Sequence, residues 1–204
     1  MINKKLYKFL ISILLIIFTV NTNAQLLDSI TLDTVPTYTL QKALKQDPLK
    51  VYKLTLKKMK LTELPSEILA FKNLQVLNLK GNKFKIFPKK ITTFVYLQEL
   101  NVSANKIQII TKELGELIHL KKFIANSNKI VSIPPEIRYL KKLQYLDLWG
   151  NDIGALPHEI SELEGTLKEI DMRVILMSNA EHKIIKALLP NTKIRFSKSC
   201  NCGF

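Results

Sequence analysis

The residues that could take part in catalysis are few and are not arranged for it. The histidines His119, His158 and His182 lie far apart, without the spacing of metal ligands. His158-Glu159 matches the start of a zinc-binding HExxH sequence, but the second histidine is missing. None of the 6 glycines belongs to a GxxxxGK or GxGxxG phosphate loop. We therefore expect no metal, no cofactor and no enzymatic activity.

Two cysteines, Cys200 and Cys202, stand close together in the C-terminal sequence SKSCNCGF. An oxidising compartment would permit a disulfide between them. With a single residue between the two cysteines, the loop would be small and strained, and it would add little stability. Three interpretations stay open: a local or intermolecular disulfide, a soft-metal pair short of ligands, and an incidental tail.

The elements that must position any functional residue come from a repeat of about 23 residues. Four regular copies are LQVLNLKGNKFKIFP from Leu74, LQELNVSANKIQIIT from Leu97, LKKFIANSNKIVSIP from Leu120 and LQYLDLWGNDIGALP from Leu143. Less regular copies begin at Val51 and at Leu167. The repeats therefore span about residues 51–177, in about six units.

Each copy combines two periodicities. In LQYLDL, apolar residues alternate with polar ones towards the end, which predicts a short strand with one buried face. Pro157, Ile160 and Leu163 then follow at spacings of three, which favours one or two helical turns. The apolar side chains of one unit contribute too little to offset the cost of ordering it, so neighbouring units must share a core. The result is a stack of parallel strands.

The pattern resembles the leucine-rich repeat family, LxxLxLxxNxIxxLPxxIxxLxx, in a form similar to its Ras-group and plant intracellular subclass, here on a bacterial-type exported chain. The resemblance implies an α/β fold: a curved solenoid with a parallel sheet on the concave face and short helical turns on the convex face. Helical segments at 37–48 and 178–191 would cap its two ends.

One asparagine position recurs in every regular copy and is expected to be structural. It holds Asn82, Asn105, Asn128 and Asn151. Where a strand ends and the chain turns inward, backbone groups lose their partners in the sheet. A buried asparagine side chain can both donate to and accept from those groups. We expect the four residues to form a ladder of hydrogen bonds through the stack.

The N-terminus has the pattern of a signal peptide. MINKKLYK is positively charged, residues 9–20 are apolar, and Ala24 ends a stretch of small or polar residues. Twelve apolar residues are few for a membrane span. We expect a signal peptide at 1–24, a leader and helical cap at 25–50, and a C-terminal cap and tail at 178–204. Uncleaved anchoring is the alternative. Export to the periplasm, the cell surface or the medium follows from this prediction.

The net charge of +14 does not by itself indicate nucleic acid. The lysines are scattered over caps and turns and are not interleaved with stacking aromatic residues. An export signal also argues against this partner. Weak attraction to an anionic polymer of the cell envelope is a secondary possibility. After cleavage we expect a monomer with no membrane span.

The candidate binding site is the outward face of the predicted sheet, where side chains are not needed by the core. Aromatic residues beside charged ones are typical of protein-binding surfaces. The positions expected to contact a ligand are Lys57, Lys80, Lys122, Ile124, Asn126, Tyr145, Asp147, Trp149, Asp171 and Arg173. We expect a protein ligand. A carbohydrate or anionic polymer bound by Tyr145 and Trp149 is the first alternative, and an enzyme built on Asp147 and Asp171 is the second.

Overall fold

The computed structural model describes residues 26–197, and their main feature is one parallel sheet of eight strands in sequence order. The predicted signal peptide and both cysteines lie outside the described residues. The strands are β1 (Thr37–Thr39), β2 (Lys53–Thr55), β3 (Val76–Asn78), β4 (Glu99–Asn101), β5 (Lys122–Ile124), β6 (Tyr145–Asp147), β7 (Glu169–Met172) and β8 (Lys193–Phe196).

The register of the sheet follows the sequence period. Leu54 pairs with Leu77, Leu77 with Leu100, and the same step continues through the regular repeats. The central residue of each strand from β2 to β6 is buried, whereas the residues on both sides of it are partly exposed. One face of the sheet therefore packs on the core and the other is open. The predicted parallel solenoid is confirmed.

Short 3-10 helices return the chain from each strand to the next. They are Pro48–Lys50, Ser66–Ala70, Lys89–Thr93, Lys112–Glu116, Pro135–Tyr139 and His158–Leu163. Apolar residues three apart, such as Ile68 and Phe71, are buried and fill the core from this side. A 3-10 helix places residues i and i+3 on the same face, which suits that spacing, and such helices rarely exceed a few residues.

The four ladder asparagines bond to the ends of neighbouring strands. Asn128 illustrates the pattern: its Oδ1 accepts from the Ile107 N–H at 3.0 Å, and its Nδ2 donates to the Val102 and Ala125 carbonyls at 3.1 and 3.0 Å. Asn105 also donates to the Val102 carbonyl, at 2.9 Å. Adjacent asparagines thus share carbonyl acceptors, and the shared acceptors connect the repeats.

The residue before each ladder position has a left-handed backbone. Gly81 and Gly150 have φ values of 74° and 62°, which glycine adopts without strain. The equivalent position in the last repeat holds Val174, at φ 55°. A β-branched residue is unfavourable there. The turn geometry is therefore common to the repeats, whether or not the local residue favours it.

The N-terminal cap differs from the prediction in two respects. Residues 25–36, expected to be a loose leader, contain helix α1 (Ser29–Thr34), which is capped by Asp28 and buries Leu32. Thr37–Thr39 forms the strand β1, which was not predicted, and Thr39 is also the N-cap residue of the short helix α2 (Leu40–Ala43). In this helix and at its C-terminal end, Ala43 is buried, Leu40 is partly buried against the core, and Leu44 is exposed.

The start of the described chain is held across the sheet by two buried glutamines. The Leu27 N–H donates to Gln75 Oε1 at 3.0 Å, and Gln98 Nε2 donates to the Leu27 carbonyl at 2.7 Å. Gln98 Nε2 also donates to Gln75 Oε1 at 2.7 Å. Further on, Lys53 Nζ donates to the Leu32 carbonyl at 3.0 Å. The leader is therefore fixed against the second and third repeats.

The C-terminal cap consists of helix α3 (Asn179–Leu188) and strand β8. Ser178 caps the helix by accepting from the Glu181 N–H. Ile185 and Leu189 are buried, whereas Ile184 is 49% exposed. No helix within 26–197 has the length and apolar character needed to cross a bilayer.

Candidate functional site

The open face of the sheet carries the residues predicted to bind a ligand. We define the open face by three positions in each repeat: the residue before the buried strand centre, the residue after it, and the residue two places further on. In the repeat that begins at Leu143 these residues are Tyr145, Asp147 and Trp149. The register places Lys122 beside Tyr145 and Ile124 beside Asp147. Because neighbouring strands are about 4.8 Å apart, these side chains form one continuous surface.

Tyr145 stands at the centre of the C-terminal half of the open face. The Lys122 ammonium lies 5.7 Å from the centre of its ring, within the range of a cation–π contact. Burial raises the pKa of the Tyr145 phenol, and the negative charges of Asp147 and Asp171 raise it further. The hydroxyl therefore stays protonated and can donate a hydrogen bond to a ligand.

Asp147 orders the residues around it. Its Oδ2 accepts from Asn126 Nδ2 at 2.5 Å, and its Oδ1 accepts from the Trp149 N–H at 3.1 Å. The second bond closes a turn at the end of β6 and holds the backbone that carries Trp149. The Trp149 side chain is 38% exposed. The ring is therefore presented from a fixed backbone while remaining accessible.

Asp171 forms an ion pair with Arg173. Its carboxylate accepts from Arg173 Nη2 at 2.6 Å and from Arg173 Nε at 3.0 Å, and it is itself buried. Burial alone would raise the pKa of Asp171, but the hydrogen bonds from Arg173 outweigh it and lower the pKa. In a pair of carboxylates that share a proton, the pKa of one carboxylate is raised. The pairing with Arg173 gives no support to an acid–base pair with Asp147.

A second ionic cluster was not predicted. Glu169 Oε1 accepts from Arg195 Nε at 2.7 Å, and Glu169 Oε2 lies 3.2 Å from Lys193 Nζ. Both cations belong to β8, which continues the open face beyond the last recognised repeat. The alternation of Lys193 and Arg195 with the apolar Ile194 and Phe196 was the available signal.

The structure does not gather all ten predicted positions into one site. Lys57 and Lys80 are exposed, but they follow β2 and β3, which lie four and three strands from β6. At about 4.8 Å per strand, that separation is roughly 14–19 Å. Between them and Trp149, the equivalent position holds Ser103, which is buried. The basic and aromatic parts of the open face are therefore separate.

The histidines lie elsewhere and differ in their surroundings. His119 stacks on Tyr96, and its Nδ1 is 3.0 Å from Lys142 Nζ. Burial lowers the pKa of His119, and the charges of Lys142 and Lys121 lower it further. His182 stacks on Phe196 at 3.9 Å between ring centres. Within 26–197 no three His, Cys, Asp or Glu residues are grouped as metal ligands.

These features define a class: a parallel-sheet solenoid that displays a fixed set of aromatic and charged side chains on its open face. The family profile described as Leucine Rich repeats (2 copies) matches residues 118–158, and the profile described as Leucine Rich Repeat matches residues 73–94. The chain therefore carries leucine-rich repeats, and its described residues form the parallel-sheet solenoid that such repeats build. No curated protein sequence matches it.

Solved structures agree on the fold. Internalin inlF of Listeria monocytogenes superposes with a TM-score of 0.60 at 19% identity, over 74% of this chain and 44% of its own. Internalin C2 of the same organism has a TM-score of 0.59 at 20% identity, over 72% and 62%. A plant peptide hormone receptor, RGFR1 in complex with RGF2, has a TM-score of 0.53 at 26% identity, over 63% and 21%. The chain thus matches less than two thirds of each of these structures.

Proposed function

We propose that this protein is a non-catalytic binding module that recognises a protein ligand on the open face of its sheet. The observation that carries the proposal is the exposed side chain of Trp149, on the same open face as Tyr145. The repeat does not need an aromatic residue at either position, because the core is filled by the strand centres and the 3-10 helices. Exposed aromatic residues next to ordered charges are typical of the energetic centre of a protein interface.

The surroundings of the two rings are ordered before any ligand arrives. Asp147 holds the Trp149 backbone, Lys122 lies over Tyr145, and Glu169 is paired with Arg195. Binding to a surface that is already fixed loses less side-chain entropy than binding to a mobile one. This order supports a rigid, preformed recognition surface.

The comparison with the plant receptor adds support of a coarser kind. That receptor was solved in complex with RGF2, and this chain matches a part of it. The match covers 21% of the receptor, so it supports a role in recognition only in general terms. The identity of the ligand is left to experiment.

We also propose that the chain is exported by its N-terminal segment and works as a monomer. The basic start and the apolar stretch at 9–20 support export. N-terminal sequencing of protein recovered outside the cytoplasm should begin at Gln25. An intact Met1 on that protein would contradict cleavage. Light scattering of the purified protein tests the monomer.

The proposed site is tested by comparing Trp149→Ala and Tyr145→Ala with a matched control. Tyr139→Ala is that control, because Tyr139 is also an exposed aromatic residue but lies on a 3-10 helix away from the sheet. Protein partners captured by the unmodified protein should be lost from the first two variants and retained by the third. Equal retention by all three would move the site away from the open face.

A second candidate, binding of an anionic polymer, is supported by a different group of residues. Lys121, Lys141, Lys142 and Lys168 line a shallow pocket of about 330 Å³ at the edge where the strands begin. Binding there should weaken steeply between low and high salt, whereas binding centred on aromatic rings should persist. Salt-sensitive binding that is unaffected by Trp149→Ala would favour the polymer.

A further inference from the structure

An apolar cleft lies away from the open face, between the first two repeats. It has a volume of about 460 Å³ and is formed by the segments that run from the end of a strand to the next 3-10 helix, residues 62–64 and 83–90. Leu64, Phe84 and Phe87 form its apolar lining together with Ile86, which is 54% exposed. This volume is in the range of small-molecule sites, which are mostly apolar with a few polar groups at fixed positions.

On this side of the solenoid, backbone pairing is more extensive between the second and third repeats than between the first and second, where the Lys83 N–H donates to the Leu61 carbonyl at 2.7 Å. Between the second and third repeats, Phe87 N–H donates to the Ile109 carbonyl at 3.0 Å, and Gln108 N–H donates to the Lys85 carbonyl at 3.0 Å. The same step pairs Ile86 with Ile109 in an isolated bridge. Among the described residues, no backbone hydrogen bond joins residues 62–64 to residues 85–87. The two segments are therefore free to separate and leave a space.

The rim of the cleft is strongly basic. Lys83, Lys85, Lys89 and Lys90 line it, against a single acidic residue, Glu63. Lys89 is paired with Glu113 at 2.8 Å, and no ion pair holds the other three lysines among the described residues. An apolar cleft with unpaired cations at its rim is complementary to a molecule with an apolar chain and an anionic head.

We infer that this cleft binds a free, single-chain anionic amphiphile such as a long-chain fatty acid. The acyl chain would lie against Ile86, the exposed part of the apolar lining, and the carboxylate would be held by Lys83, Lys85 or Lys90. This site uses none of the open-face residues. Its failure would leave the proposed protein-binding function untouched, and the reverse also holds.

The sharpest test compares two isoleucines that occupy the same place in successive repeats. Ile86 and Ile109 are 54% and 52% exposed and pair with each other, but only Ile86 lines the cleft. Binding of sodium laurate, kept below its micelle concentration, is measured by calorimetry on the full chain and on Ile86→Glu and Ile109→Glu. Because the apolar stretch 9–20 can itself attract acyl chains, the readout is the difference between the two variants.

We expect Ile86→Glu to weaken laurate binding by roughly tenfold or more, which corresponds to about 1.4 kcal/mol, and Ile109→Glu to leave it unchanged. Equal effects of the two substitutions, or no effect of either, would overturn the proposal. Circular dichroism of both variants verifies that they are folded.

The role of the basic rim is tested by charge-matched variants. The triple variant Lys83→Gln, Lys85→Gln, Lys90→Gln should weaken laurate binding. The control, Lys45→Gln, Lys112→Gln, Lys129→Gln, removes the same charge at exposed lysines outside the cleft and should not. Equal weakening by both would reduce the effect to net charge and refute a specific head-group site.

The same experiment also tests whether the cleft binds a different kind of molecule. Neutral monolaurin binding as tightly as laurate would exclude recognition of the anionic head. Binding of phosphatidylglycerol vesicles or of an acidic peptide that depends on Ile86, without laurate binding, would replace the free amphiphile by a membrane surface or a peptide. Either result would overturn the proposal as stated.

Discussion

Replacing Asn151 with alanine should destabilise the protein more than replacing Asn105, although both residues occupy the same position of the repeat. The difference follows from the shared acceptors of the ladder. Asn105 Nδ2 donates to the Leu79 and Val102 carbonyls, but Asn82 and Asn128 also donate to these two groups, at 2.7 and 3.1 Å. In Asn105→Ala, each carbonyl therefore keeps one partner.

Asn105→Ala leaves one backbone group without its partner: the Phe84 N–H, which donates to Asn105 Oδ1 at 3.2 Å. Asn151 is the last asparagine of the ladder, since Ile175 stands at the next equivalent position. Within residues 26–197, only the Asn151 side chain donates to the Leu148 carbonyl, at 2.8 Å, and Asn151 also accepts from the Ile130 N–H at 3.0 Å. Asn151→Ala therefore strands one donor and one acceptor, both on fully buried residues.

A buried polar group that loses its partner costs about 1–3 kcal/mol. The free energy of unfolding should fall by about 1–3 kcal/mol in Asn105→Ala and by about twice that in Asn151→Ala, on the same reasoning. Urea unfolding followed by circular dichroism measures both values, with the m-value checked for constancy. Circular dichroism is preferable to fluorescence because Trp149 lies close to Asn151 in the chain.

Asn126→Ala provides the control for the ladder variants. This side chain donates to the Asp147 carboxylate on the open face and takes no part in the ladder. Asn126→Ala should lower the free energy of unfolding by less than either ladder variant does, because Asp147 keeps its hydrogen bond from the Trp149 N–H. Equal losses in Asn105→Ala and Asn151→Ala, or a larger loss in the former, would refute the reasoning from shared acceptors.

Three further predictions concern single sites. Val174→Gly should raise the free energy of unfolding by up to about 1 kcal/mol, because glycine tolerates a φ of 55°. In urea melts, Val174→Ala should raise it by less. Equal increases in the two variants would contradict the role of backbone strain. Hydrogen bonds from Lys89 help to hold the pKa of Glu113 at about 2 instead of 4.5, so its stabilisation is complete above pH 4.5 and is lost as the pH falls towards 2. In thermal melts, Glu113→Gln should lose less stability over that range, and an identical pH dependence would exclude this contribution. The NMR-titrated pKa of His119 should lie below 6.5, and Lys142→Met should raise it only in part because burial is the larger cause; an unchanged pKa would exclude an effect of the Lys142 charge.

The parts of the fold that repeat could be predicted from the sequence. A period of 23 residues sets the register of neighbouring strands, and the alternation within each copy tells which strand residues face outward. The ends lack this information. β1 has Tyr38 flanked by two threonines where the other strands have an apolar skeleton, and α1 buries only Leu32. Their structure depends on the first repeat that they cover.

The candidate site was predictable to the same extent. The period identified Tyr145, Asp147 and Trp149 as neighbours on one face, but it did not indicate which charges pair across strands. Arg195 reaches Glu169 only because β8 adds to β7 after the helix, a contact between residues 26 apart that no repeat specifies. The cleft beside Ile86 depends on the spacing between two neighbouring segments, which residue types alone do not specify.

The attachment of Leu27 has a mechanical consequence. Its N–H donates a hydrogen bond to Gln75, and its carbonyl accepts one from Gln98; these glutamines lie 48 and 71 residues further along the chain. Tension on the backbone at Leu27 is therefore delivered to the second and third repeats, bypassing β1 at the edge of the sheet. The two buried amides would have to give way before pulling could peel the stack from its N-terminal end. The leader therefore protects the edge strand β1 from a force applied to the N-terminal end of the chain.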